Sequence, residues 1–160
     1  MAGSRDIEML LAIVDQAYGR RSWHGTNLRG SVRGVASELA SWRPGPGRHN
    51  IWEIVVHAAY WKYAVARRLT GGRRGSFPLT GSNWFRRPDQ PTAAAWRADL
   101  ALLGRMHTDL RAAIAATPAS ALHRRATRDA QTLFWVVSGA AAHDVYHAGQ
   151  IQLIRKLAGP

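Results

Sequence analysis

The chain has 160 residues, of which 46% are hydrophobic, and a net charge of +12 from 22 basic and 10 acidic side chains. This length is enough to bury one hydrophobic core, so we expect a single domain over residues 1–160. The absence of cysteine excludes disulfides and thiolate metal sites, and it leaves histidine and carboxylate side chains to hold any metal ion.

The basic charge by itself raises the question of a nucleic-acid partner. However, all the basic residues except Lys62 and Lys156 are arginines, and the arginine pairs among them are scattered, with no basic stripe and no DNA-reading motif. We therefore do not expect a nucleic-acid partner. The N-terminus lacks the pattern of a secretory signal, and no segment approaches about 20 uninterrupted apolar residues. The sequence thus predicts a cytoplasmic protein with no membrane partner.

Apolar spacing predicts helices in the first half of the chain. Residues 4–19 place Ile7, Leu10, Leu11, Val14 and Tyr18 on one helical face, and a short helical piece follows over residues 28–39. A second long helix is predicted from Asn50 to Thr70. Asn50 and Glu53 have the spacing of a capping box, and the apolar residues of this helix cover most of its circumference, which indicates that it is buried.

Two more helices are predicted in the second half, over Pro91–Thr117 and Asp129–Leu157. The connection of about 20 residues from Gly71 to Gln90 is much longer than the 2 to 8 residues that usually join neighbouring helices of a bundle. Its length permits a crossover that would make the second and third long helices parallel. No segment alternates with the period of a strand, so we expect an all-α four-helix bundle.

Histidines are the candidate metal ligands. His143 and His147 lie one helical turn apart on the side that also carries Val136 and Ile151, so both should face the bundle interior. Buried imidazoles need a metal ion or hydrogen-bond partners, and the spacing alone does not decide between these. His57, in the apolar second helix, is the best third candidate, although a lone histidine there is more often a core residue.

The other histidines are interpreted differently. His107 lies on the apolar stripe of the third helix, which indicates a packed and hydrogen-bonded core residue. His49 is interpreted as a helix-terminal residue and His123 as a loop residue. His24 follows a break after the first helix, where it is a candidate for substrate contact or a loop histidine with local hydrogen bonds.

Glu53 and Tyr146 are further candidates for catalysis. Glu53 lies four residues before His57 and could orient that histidine or act as a base. The capping box with Asn50 offers an alternative role for the same carboxylate. Tyr146 and Asp144 flank the histidine pair. We expect Tyr146 near the cavity and Asp144 in an ion pair with an arginine of a neighbouring helix.

The segments HNIWEIVVHAAYWKYAVARRLTG and AAHDVYHAGQIQLIRKL resemble the DinB-like superfamily of four-helix metal-binding proteins (DinB/YfiT-like). The resemblance spans nearly the whole chain. It rests on the mid-helix histidine of the second helix and on the HxxxH pair followed by GQI. It implies the crossover bundle and a divalent metal, zinc or nickel, bound by His57, His143 and His147.

The resemblance also implies a class of chemistry. Characterised relatives include transferases and isomerases that use bacillithiol, mycothiol or glutathione, and many other members are described as metal-dependent hydrolases of unknown substrate. We therefore expect a thiol-dependent S-transferase or a hydrolase acting on a small molecule, with a homodimer as the assembly. The alternative is a metal-binding stress-response protein without catalysis. Without cysteine, the chain must take any sulfur nucleophile from a cosubstrate.

Overall fold

The computed structural model describes residues 2–87, 91–125 and 131–159. Within these ranges the chain forms six α-helices and no strand, which confirms the predicted all-α fold. Four helices are long: α1 (Ala2–Tyr18), α4 (Ile51–Thr70), α5 (Ala93–Ala116) and α6 (Leu133–Leu157). Two are short, α2 (Leu28–Ser31) and α3 (Ser37–Ser41). None of the described helices is long and apolar enough to cross a membrane.

Side-chain caps define where the long helices begin. Asn50 Oδ1 accepts a hydrogen bond from the Glu53 amide at 2.8 Å, as the predicted cap requires. Thr92 and Thr132 cap α5 and α6 in the same way. The third long helix therefore begins two residues after the predicted Pro91. The predicted start of the fourth, at Asp129, lies outside the described residues.

The helical piece predicted over residues 28–39 is divided into α2 and α3. The chain turns between them, where Gly34 has a φ of 72°, a left-handed conformation that side chains with a Cβ rarely adopt. Asn27 Oδ1 caps α2 through the Gly30 amide. The predicted single helical piece did not include this break at Gly34.

Helix α4 is the most buried of the long helices, as its apolar circumference predicts. Every residue from Ile51 to Ala59 is buried. Its first half packs into an apolar cluster with residues of α2, α5 and α6, and its second half packs into a second cluster with α1, α5 and α6. Burial of this surface is the main force that assembles the bundle.

Contacts at both ends of α4 show that α5 runs parallel to it. Trp52, near the start of α4, donates a hydrogen bond to Asp99 near the start of α5, at 2.7 Å. Near the ends of the same helices, Arg67 and Ala113 line one cavity. Helices α4 and α5 therefore run in the same direction, as a crossover requires. The path of the connection stays a prediction, because residues 88–90 lie outside the described ranges.

Candidate metal centre

Three histidines from two helices meet in the interior. The Nε2 atom of His143 on α6 lies 3.0 Å from the Nε2 atom of His57 on α4 and 3.0 Å from that of His147 on α6. Ring nitrogens of all three side chains lie within 4.8 Å of one another, a separation at which they could hold one metal ion. The structure thus brings together the three residues that the sequence analysis selected.

The outer nitrogens of two rings are held by hydrogen bonds. His57 Nδ1 lies 2.8 Å from the backbone carbonyl of Asn83, which can only accept, so Nδ1 carries the proton. His147 Nδ1 lies 2.7 Å from Oε1 of Gln150, also an acceptor. The Nε2 atoms of the neutral His57 and His147 rings therefore present lone pairs toward His143.

Lone pairs that face each other at this distance repel, so the arrangement needs a cation between the nitrogens or additional protons on the rings. His143 Nε2–H could donate to only one of its two neighbours, so one nitrogen–nitrogen contact would stay unsatisfied. Protonation is unfavourable, because burial lowers the pKa of His143 to about 3 and that of His147 to about 4. Burial also lowers the pKa of His57. The neighbouring rings add to the effect at His143 by repulsion. Three neutral, convergent imidazoles fit a divalent metal.

Two residues of the α4–α5 connection support the cluster, and the sequence analysis missed both. Asn83 has a φ of 62°, which aims its carbonyl at His57, while its side-chain oxygen accepts a hydrogen bond from Trp61 at 2.9 Å. Trp84 stacks on the His57 ring, with ring centroids 3.8 Å apart. The asparagine follows glycine and serine in a polar loop, and nothing in that local pattern indicates a histidine 26 residues earlier.

Glu53 lies away from the histidine cluster. Its carboxylate accepts hydrogen bonds from Arg43 and lies 3.0 Å from His49 Nδ1. Burial opposes its ionisation, but the hydrogen bonds from Arg43 and His49 outweigh this and lower its pKa. The His49 ring stacks on the other face of Trp84, at 3.6 Å. Among the described side chains, the Glu53 carboxylate is therefore linked to the His57 ring through His49 and Trp84.

Tyr146 and His24 also lie outside direct contact with the convergent nitrogens. The Tyr146 hydroxyl accepts a hydrogen bond from Gln150 Nε2 at 3.0 Å, and Gln150 in turn accepts from His147. Tyr146 is 63% exposed. His24 is exposed in the turn after α1 and does not line the cavity beside the cluster. The Tyr146 ring also lies edge-on to the His147 ring, with centroids 5.1 Å apart. The structure thus places Tyr146 beside one histidine of the cluster, and it places His24 elsewhere.

Asp144 pairs with a lysine, and the predicted arginine partner is wrong. Lys62 Nζ on α4 donates to Asp144 Oδ2, and both side chains are almost fully buried. Burial raises the pKa of Asp144, and the Lys62 charge opposes this. The other carboxylate oxygen, Oδ1, has no hydrogen-bond partner among the described residues. We predicted an arginine because most basic residues of the chain are arginines. The structure places the ammonium group of Lys62 against Asp144 instead.

His107 is buried away from the cluster, as expected. Its ring stacks on Tyr18 at 3.7 Å, and its Nε2 lies 3.4 Å from Asp15 Oδ1. Burial lowers its pKa to about 3, and the charge of Lys62 contributes. His123 lies exposed in a turn, as its sequence context predicts.

Two cavities differ in their relation to the histidines. The larger, of about 950 Å³, lies between α5 and the chain around α2 and α3, and it contains none of the three clustered histidines. A cavity of about 430 Å³ lies against the cluster, with His57 and His143 in its wall. A substrate must reach a metal ion held by the convergent nitrogens, so the smaller cavity is the candidate substrate site.

The helical fold and the histidine cluster define a class of protein, an all-α bundle with a potential three-histidine metal centre. A family model described as the DinB superfamily matches residues 21–151 of this chain. The chain therefore belongs to the DinB superfamily. No curated protein and no solved structure matches it.

Proposed function

We propose that the chain is a metal-dependent enzyme whose His57, His143 and His147 hold one divalent ion, zinc or nickel. The observation that carries this proposal is the convergence of three Nε2 atoms while the Nδ1 atoms of His57 and His147 are held by acceptors. Zinc sites with catalytic function commonly use three protein ligands and keep a position open. We propose one DinB-like domain over residues 1–160.

The reaction that we propose is S-transfer with a low-molecular-weight thiol, such as bacillithiol, mycothiol or glutathione, or hydrolysis of a small molecule. When bound, a divalent ion supplies Lewis-acid chemistry that favours deprotonation of a thiol or of water. The chain has no cysteine, so the sulfur must arrive with a cosubstrate. The homodimer and the cytoplasmic location stay predictions.

The chain's own residues have positioning roles in this proposal. The Asn83 carbonyl and the Gln150 side chain fix two imidazole rings with the unprotonated nitrogen inward. Trp84 covers the face of His57 and restricts water there. Glu53 positions His49 under Trp84, and Tyr146 orients Gln150.

Metal occupancy tests the ligand set. We expect about one divalent ion per chain by elemental analysis and almost none after His57→Ala, His143→Ala or His147→Ala, because two remaining imidazoles bind weakly. His24→Ala and His123→Ala are the controls, since both side chains are exposed. Full occupancy in one of the three cluster variants would remove that residue from the ligand set.

Cobalt substitution tests the reaction class. If a thiol cosubstrate binds, adding bacillithiol, mycothiol or glutathione should produce a sulfur-to-cobalt charge-transfer absorption band, which a chain without cysteine cannot produce by itself. Absence of the band together with metal-dependent cleavage of an ester or amide would leave hydrolysis. Absence of both would favour the metal-binding stress-response protein without catalysis.

A further inference from the structure

The cavity beside the histidine cluster is surrounded by indole rings from three separate segments. Trp61 belongs to α4, Trp84 to the α4–α5 connection and Trp135 to α6, and all three line the cavity. Its volume of about 430 Å³ lies within the range of about 300–1,000 Å³ that is typical of small-molecule sites. The indoles therefore define the chemistry that a bound molecule meets next to the proposed metal.

The three indoles have different freedom to contact a ligand. Both faces of Trp84 are covered, by His49 and by His57. Trp61 is fixed by its hydrogen bond to Asn83. Trp135 has no ring partner among the described residues and is 58% exposed. Because no described ring covers it, Trp135 is the indole of this cavity that is available for stacking on a ligand.

Between α4 and α6 the cavity wall contains the buried Lys62–Asp144 ion pair and a run of small apolar residues. Ala58 and Val65 of α4 face Val136, Gly139 and Ala140 of α6 across the cavity. A Cβ atom built on Gly139 would meet no other heavy atom within 4 Å. The cavity thus has room for a flat ring system beside Trp135.

A positively charged side chain, Arg68, lies at the end of this cavity away from the histidine cluster. Arg68 lines the same cavity, and its side chain has no hydrogen bond or ion pair with any described residue. It follows His57 by about three turns of α4, which is about 16 Å along the helix axis. Helices α4 and α6 run in opposite directions, because His57 contacts His147 while Val65, further along α4, packs with Val136, near the start of α6. Trp135, about two turns before His143, therefore lies at the same end of the cavity as Arg68. An anionic group at that end would find a guanidinium partner.

We propose that this cavity binds an aromatic acid. Its ring would stack on Trp135, its metal-binding oxygen or sulfur would point to the histidine cluster, and its anionic group would contact Arg68. This inference rests on the proposed metal centre, and it adds the class of substrate.

The test uses three hydroxamates that share one metal-binding group: acetohydroxamate, benzohydroxamate and 4-carboxybenzohydroxamate. Their affinities for the zinc-loaded protein are measured by titration calorimetry. We expect benzohydroxamate to bind at least about tenfold more tightly than acetohydroxamate, because stacking adds to the shared metal contact. The carboxylate should increase affinity further.

Variants assign the effect to residues. Trp135→Ala should remove most of the preference for the aromatic probe. Trp23→Ala, at a residue that is 99% exposed in the turn after α1, should keep that preference. Gly139→Leu, which favours the helix and fills the cavity, should weaken benzohydroxamate but not acetohydroxamate. Arg68→Gln should remove only the gain from the carboxylate, and Arg33→Gln is its control.

The outcomes separate this inference from the proposal beneath it. Equal affinity for acetohydroxamate and benzohydroxamate would overturn the aromatic site while leaving the metal centre intact. Failure of all three probes to bind would contradict an accessible metal position and overturn both proposals. An aromatic preference that persists in Trp135→Ala and Gly139→Leu would place the ring elsewhere and overturn the assignment of this cavity.

Discussion

At the scale of single residues, Asn83 shows how a loop determines the state of a metal-ligand candidate. Its left-handed backbone directs the carbonyl to His57 Nδ1, and this hydrogen bond leaves Nε2 free of its proton. Asparagine tolerates this conformation better than most residues, because its short polar side chain can form local hydrogen bonds. Here that side chain accepts from Trp61, so one residue holds both the ligand candidate and a cavity wall.

We predict that Asn83→Ala weakens metal affinity by about 10- to 100-fold, the usual effect of losing an outer partner of a metal-binding histidine. Alanine strains the backbone by about 1–2 kcal/mol and loses the bond to Trp61. Asn83→Gly should retain more affinity, since glycine adopts the same backbone without strain. Competition with a chromophoric chelator measures both variants, and equal affinity in Asn83→Ala and the unmodified protein would contradict the role of this loop.

At the scale of helices, α4 and α6 are joined by the histidine cluster and by one buried ion pair. Lys62 and Asp144 are 2% and 1% exposed, and the Lys62 ammonium also lies 5.0 Å from the centre of the Tyr18 ring. Taking two charges out of water is costly, so such a pair contributes little net stability, but removing one partner leaves the other charge buried alone. The pair therefore constrains how α4 and α6 pack.

We predict that Lys62→Met destabilises the metal-free protein by about 3–5 kcal/mol, because Asp144 would lose its only described ion-pair partner. Urea unfolding in the presence of a chelator measures the change. The double variant Lys62→Met with Asp144→Leu should recover most of the loss, since it removes both charges. A double variant as unstable as Lys62→Met would show that packing around Lys62, and not the unpaired carboxylate, causes the effect.

At the scale of the whole molecule, buried neutral histidines make stability depend on pH. The folded pKa of His107 is about 3, whereas in the unfolded chain it is near 6.5. Between these values the unfolded chain binds a proton that the folded chain does not. The stability that is present above pH 6.5 is therefore lost as the pH falls, by up to about 1.4 kcal/mol per pH unit for each such histidine.

We predict that His107→Gln reduces the pH dependence of the free energy of unfolding between pH 6.5 and 5. Unfolding of the metal-free protein in urea at several pH values gives the slope, and this window lies above the titration of ordinary carboxylates. The three clustered histidines contribute the same slope in both proteins, so the difference reports His107. Parallel curves for His107→Gln and the unmodified protein would contradict a neutral buried His107.

The sequence by itself determined where the long helices form and that the three clustered histidines lie on their buried sides. Apolar spacing in α4 and α6 requires a buried face, and His57, His143 and His147 lie on those faces, so any bundle that buries them brings these rings inward. The cap at Asn50 is equally local, because a side chain and an amide three residues later suffice.

Only the tertiary structure decided which partners these residues meet. The carbonyl of Asn83, the stacking of Trp84 and the ion pair of Lys62 with Asp144 join positions between 26 and 82 residues apart. Periodicity reports which face of a helix is buried, but it contains no information on what the opposite helix or a distant loop places there. Those contacts depend on how the helices align and where the connection returns, which packing of the whole chain decides.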